Sequence, residues 1–256
     1  MTRDHYIALK TIVRKETSRI MRIWSQTLLP PLITQTLYFV IFGKFIGSQV
    51  KAINGISYME FIVPGLVMMA VISNAYGNVV ASFYGAKFQR NIEEILVSPT
   101  PEWIMIAGYV LGGVVRGVVV GIMVFLVSLF FAHPVITHWW AIIVFTLLSS
   151  VVFSLAALIN GLFARNFDEV AFFQNFILTP FIYLGGVFYS IHNLPPLWQK
   201  ASLYNPLVYM VNGFRYGFFG FSDVNPGLCL VILVILTIIL GAINLVLFKK
   251  GIGLKN

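Results

Sequence analysis

Charge is what this sequence is shortest of. Lys, Arg, Asp and Glu make up 10% of its 256 residues, and only nine of those are acidic. A soluble domain carries about 25% charged residues, so a soluble fold is excluded. Cysteine is nearly absent too. The one thiol, Cys229, lies within an apolar run, which excludes an internal disulfide and any paired-cysteine metal or redox centre. Histidine is sparse, and His5, His133, His138 and His192 are scattered without metal-ligand spacing on any helix face. The phosphate loop GxxxxGK[ST], the nucleophile elbow GxSxG and the zinc motif HExxH are missing, so the chain has no machinery for ATPase, esterase or zinc-protease chemistry. No catalytic residue, metal or cofactor is expected. If transport here is driven by ATP, another chain hydrolyses it.

What is present is apolar: 59% of the residues, in long uninterrupted runs. About 20 residues cross the roughly 30 Å of bilayer hydrocarbon, and the length suits a single polytopic domain over residues 1–256. The expected fold class is an all-α membrane protein with six spans, at about 27–43, 61–83, 103–131, 139–164, 170–188 and 228–248. The first 24 residues are polar and basic with no signal-peptide core, so no cleavage is expected. Six spans place both termini on one side. Twelve of the 17 Lys and Arg residues then share that side, Lys44, Lys51, Lys200 and Arg215 lie opposite, and Arg116 is intramembrane. By the positive-inside bias both termini are cytoplasmic. The net charge of +8 thus flanks the spans and does not suggest nucleic acid. Trp24 and Trp103 on the inner side, and Trp139, Trp140 and Trp198 on the outer, fall where interfacial belts are expected.

Four local patterns stand out. Residues 4–24, the bulk of an interface segment at 1–25, read as an amphipathic helix along the inner surface. Tyr6, Leu9, Ile12 and Ile20 share one face, and Arg14, Lys15, Arg19 and Arg22 the other. Glu16 falls in the apolar sector and needs a partner there. In the 85–102 loop, Asn91 and Glu94 have capping-box spacing and Pro99 ends the pattern, which predicts a two-turn helix with an apolar face of Ile92, Ile95 and Leu96 beside Glu93 and Glu94. Such a knob suits docking into another protein or packing on its own bundle. Arg116 is the only formal charge deep in a clear span, near a smooth strip of Gly108, Gly112, Gly113, Gly117 and Gly121. It reads either as a structural pair or as part of a transport path or dimer seam. Finally, 190–225 is apolar yet broken by Pro195, Pro196, Pro206, Gly213, Gly217 and Gly220, which predicts a re-entrant or surface-lying pair of short helices.

The chain resembles the membrane subunits of ABC-2 type exporters, above all their bacterial inner-membrane members. Three segments carry the resemblance. RKETSRIMR is similar to the family's interface helix through Lys15, Glu16, Arg19 and Arg22; NIEEILVSP is similar to its coupling helix through Glu93, Leu96, Ser98 and Pro99; GGVFYSIHNLPP with LYNPLVYMVNGFR is similar to its C-terminal signature through Gly185, Leu194, Pro195, Pro206, Leu207, Tyr209 and Arg215. Arg90-Asn91 stands where the family commonly has Gly-Thr, and Phe181 where it is more usually aliphatic. The resemblance implies a permease coupled through residues Arg90 to Ser98 to two copies of a cytoplasmic ABC ATPase, which bind the ATP and Mg. It also implies a second permease chain, a homodimer, and a re-entrant segment between spans five and six. The six mostly apolar spans fit an amphipathic or lipid-like substrate better than a strongly charged one. The alternative is an ion-gradient-driven secondary transporter, which would need carboxylates near the midplane where these spans offer only Arg116.

Overall fold

The computed structural model describes residues 3–50, 52–53 and 55–254, with the side chain of Ile95 left out. Lys51, Lys255 and the Ile95 side chain therefore lie outside the described residues. Among the described residues the regular structure is helical: α1 (Arg3–Arg22), α2 (Trp24–Tyr38, continued as a π-helix over Phe39–Ile46), α3 (Tyr58–Phe88), α4 (Asn91–Val97), α5 (Glu102–Ser128), α6 (Trp139–Phe163), α7 (Phe167–Phe172), a π-helical stretch (Phe173–Leu178), α8 (Thr179–Tyr183), a 3-10 turn (Ile191–Asn193), α9 (Pro196–Ser202), α10 (Pro206–Phe219) and α11 (Pro226–Lys249). Five helices among the described residues are long and apolar enough to cross a membrane: Trp24–Ile46, Tyr58–Phe88, Glu102–Ser128, Trp139–Phe163 and Pro226–Lys249.

The hub is α3, the most enclosed of the five. A capping box starts it: the Ser57 hydroxyl accepts from the Glu60 amide and the Glu60 carboxylate accepts from the Ser57 amide, each at 3.3 Å. The expected glycine strip is what lets α5 lie close against it. A Cβ on Gly117 would sit 3.1 Å from that of Ala75, and one on Gly121 would sit 2.6 Å from Val71 Cγ2. Ser150 and Ser154 of α6 close the same seam from the other side at Gly117 and Gly113. Chain direction follows from these pairs: as α5 ascends from Gly113 to Gly121, α3 descends from Val79 to Val67, so the two are antiparallel. By the same reasoning α6 and α11 run the same way, because Asn244 Nδ2 donates to Leu155 O and Gly253 meets Leu162 O.

The fifth expected span, 170–188, is shorter than predicted and interrupted. The helical pieces α7, the π stretch and α8 hold 6, 6 and 5 residues, and Gly186 at φ +76° turns the chain out of the helix. This column leans on α3: the Phe173 ring stacks on Tyr76, and Asn160 Nδ2 donates to Val170 O and to the Tyr76 hydroxyl.

Residues 190–225 do form a pair of short helices, α9 and α10. Ten residues of α10 are buried, against α3, α6 and α11, so it is not a surface-lying helix. Gly213 and Gly217 make that possible, since any side chain there would strike Phe145 and Ile142. Its last carbonyls are capped by the residues just before α6, His138 N donating to Gly217 O at 2.8 Å and the Thr137 hydroxyl to Phe218 O at 2.7 Å.

Candidate functional site

At one end of the bundle α4 follows α3 after a two-residue reversal. The expected Asn91 capping box does not form. Arg90 takes the left-handed conformation at φ 60° as the residue before the helix, so Asn91 is already helical and its side-chain Nδ2 donates instead to Gln89 Oε1 at 3.2 Å. Glu93 and Glu94 occupy the first turn as expected, and Ser98, extended at ψ 151° before Pro99, ends it. Of the expected apolar face, Ile92 and Leu96 do not point outward. Ile92 is 3% exposed and Leu96 packs on the core, whereas Glu93, Glu94 and Val97 are exposed, Val97 by 87%. A cavity of about 610 Å³ opens beside this helix, lined by Lys87, Arg90, Ile92, Glu93, Leu96, Val97 and Leu254. Lys87 anchors its rim, donating to the terminal carbonyls of α6 at Leu162 (2.8 Å) and Ala164 (3.1 Å).

Helix α1 is amphipathic as predicted, but Ile12 and Ile20 of its apolar face are buried on protein while Tyr6 of that face is exposed. His5 meets Trp103, Ile12 meets Gly108 and Glu16 meets Gly112, so α1 runs alongside the first half of α5 in the same direction. Lys15 and Arg22 stay exposed. Glu16 is fully buried, and its carboxylate has the partners its position demanded: the Arg19 guanidinium at 2.9 Å and the Ser82 hydroxyl at 2.6 Å. Arg19 continues to Asn78 Oδ1 at 2.8 Å. One turn along α3, Asn74 Oδ1 accepts from Arg116 at 3.3 Å, near the middle of both α3 and α5. The structure thus brings Glu16, Arg19 and Arg116 to one polar edge of α3, with Arg116 on an amide carbonyl oxygen; a carboxylate or carbonyls were the partners of the structural reading.

At the opposite end, Arg215 is not in an exterior loop, as the charge count assumed. It is fully buried. Its guanidinium donates to Gly186 O at 2.7 Å, stands 4.0 Å from the Asp223 carboxylate and lies 4.1 Å over the Phe61 ring. Asp223 also accepts from the Ser190 hydroxyl and the Ile191 amide. The rest of the C-terminal pattern surrounds this latch. Gly185 is crowded by Leu207, Leu194 O accepts from Gln199, Pro195 precedes α9, Pro206 opens α10 behind the Asn205 cap, and the Tyr209 hydroxyl closes on Leu203 O at 2.7 Å.

Residues 7–219 match the family described as ABC-2 type transporter. The chain belongs to that family. The permease is 54% identical over 253 residues, 98% of each chain, to the inner membrane transport permease YadH of Escherichia coli (strain K12). It is also similar to nodulation protein J of Rhizobium leguminosarum bv. viciae, at 21% over 229 residues (88% of this chain, 87% of that one), and of Rhizobium meliloti (strain 1021), at 25% over 213 (79% and 78%).

Sequence reasoning missed several residues of this permease. Asn74, Asn78 and Ser82 follow one another at four-residue spacing, a polar edge on an otherwise apolar helix, and that periodicity was visible. Lys87 counted only as a flanking charge, and Asp223 had no pattern to mark it. Neither signal exists until the helices are assembled.

Proposed function

We propose that this chain is the membrane subunit of an ABC exporter, moving an amphipathic or lipid-like substrate out of the cytoplasm or inner leaflet with energy from a separate ATPase. Family membership over residues 7–219 is the observation that carries this reading. It sits in a bacterial inner membrane, as the printed name of the YadH relative suggests, with both termini cytoplasmic. A second copy of the chain and two ATPase subunits complete it, and ATP and Mg bind on the ATPase.

Six passages fit the chain directions. Because α6 and α11 run the same way, the segment between them returns across the bundle. The column Phe167–Tyr183 rises only about 25 Å, less than the hydrocarbon, so residues 184–190 complete the passage and α9 with α10 re-enter. Re-entry is supported by α10 running against α6, from the Phe181 carbonyl that Asn205 bonds to the start of α6.

Coupling is assigned to α4, now with its faces exchanged: Ile92 and Leu96 root the helix in the permease, while Glu93, Glu94 and Val97 meet the ATPase. This rigid root carries ATPase motion into α3. Val97→Asp sets a bare carboxylate at the contact, at a cost of about 1–3 kcal/mol, or about fivefold to 150-fold in association. The purified dimer keeps its yield and loses ATPase or its stimulation, whereas Ile92→Asp lowers permease stability first. Full, coupled ATPase activity in both Val97→Asp and Glu94→Arg complexes would remove α4 from this role.

A further inference from the structure

Four buried polar atoms along the α1–α3–α5 edge have no partner: Arg19 Nε, Asn78 Nδ2, Arg116 Nε and the Tyr109 hydroxyl. Three of them can only donate. Asn78 is 0% and Tyr109 2% exposed, while Arg19 and Arg116 are half-buried and so reachable from one side. The charges facing this place are Glu16, Arg19 and Arg116, and the Glu16 carboxylate is already taken by Arg19 and Ser82. Arg116 is left uncompensated, with only the Asn74 amide oxygen at 3.3 Å. Since Asn74 and Asn78 are four residues apart, the two guanidiniums meet α3 about 6 Å apart along its axis. Water could accept from the donors but would leave the charge of Arg116 unbalanced inside an apolar bundle. A negatively charged acceptor meets both the donors and the charge. Within about a turn or two along the same helices lies an apolar cavity of about 320 Å³, whose lining includes Val67, Val71, Val118 and Ile122.

We propose that Arg116, Arg19, Asn78 and Tyr109 bind the oxyanion head, a phosphate or carboxylate, of the transported amphiphile, whose chain lies toward that apolar cavity. The proposal rests on the exporter reading and sharpens its substrate to an anionic amphiphile.

The test titrates the full permease–ATPase complex in detergent with dioctanoyl phosphatidic acid, dioctanoylglycerol and inorganic phosphate, reading thermal unfolding. Phosphatidic acid raises the midpoint and the neutral diacylglycerol does not. Arg116→Gln weakens the apparent affinity by about tenfold, the loss of one charge-assisted contact, and Arg116→Lys restores part of it. Tyr109→Phe removes only the unpartnered hydroxyl, so it folds normally and still weakens the response. The absence of any anion response, or an undiminished response in folded Tyr109→Phe and Arg116→Gln, overturns the proposal. Equal stabilisation by inorganic phosphate assigns the site to a free anion and overturns the amphiphile as its ligand. ATPase stimulation in the same wild-type preparation separates the two readings: stimulation without anion binding sinks this inference alone, while no stimulation counts against the exporter itself.

Discussion

Two arginines inside the bundle have opposite surroundings. Arg215 is enclosed by a carbonyl, a carboxylate and a ring face, whereas Arg116 finds a single amide oxygen. The Asp223 carboxylate balances the charge of Arg215 within one buried latch, whereas among the described residues no carboxylate pairs with Arg116. Removing Arg215 leaves Asp223 as a buried, half-paired carboxylate, so Arg215→Met is expected to destabilise the permease by about 3–5 kcal/mol, with Arg215→Lys intermediate. Thermal unfolding in detergent checks this, and an unchanged midpoint in Arg215→Met would refute the latch. The sequence marked Glu16 as misplaced on an apolar face, and its partners Arg19 and Ser82 resolve that mismatch. It could not pair Arg215 with Asp223, eight residues away across an irregular turn, since no periodicity links them.

At the scale of elements, local pattern succeeded where a helix is long and failed where the backbone turns tightly. The α5 glycines predicted close packing, and the seam with α3 and α6 is built on them. Gly113 is the tightest of these positions, facing Ser154 Oγ and Val79 Cγ2, so Gly113→Val must push α5 away from α3. Overpacking of this kind costs about 1–3 kcal/mol, and the variant should unfold at lower temperature, while Gly85→Ala, in open space within α3, unfolds no earlier than the wild type. Equal midpoints for both variants would argue against the seam. The coupling segment shows the opposite case. Asn91 has the right spacing for a cap, but the reversal at Arg90 uses a left-handed residue that draws Asn91 into the helix. Which face of α4 is buried then depends on where α3 ends, a fact outside its own seven residues.

For the whole molecule, the predicted sidedness can be read directly. In a Cys229→Ala background, single cysteines at Ser48 and Lys200 should react with an impermeant thiol reagent in intact cells. One at Gln89 should react only after permeabilisation. All three positions are exposed, so access is decided by side and not by packing, while Cys229 is buried. Labelling of Gln89 from outside would invert the topology.

The sequence by itself determined that this is a helical membrane protein, where its long helices run, and which family it resembles, because bilayer crossing and hydrophobic periodicity are properties of local composition. It also located the unusual charges, Glu16 and Arg116. The tertiary structure alone decided how those charges are met: Glu16 by Arg19 and Ser82, Arg116 by Asn74 and nothing acidic, and Arg215 by Asp223 in a buried latch. It also decided that α4 turns Ile92 inward and Val97 outward. Charge partners and buried faces depend on which residues of different helices arrive at the same depth and angle, and that register is set by the packing of α5 and α6 on α3.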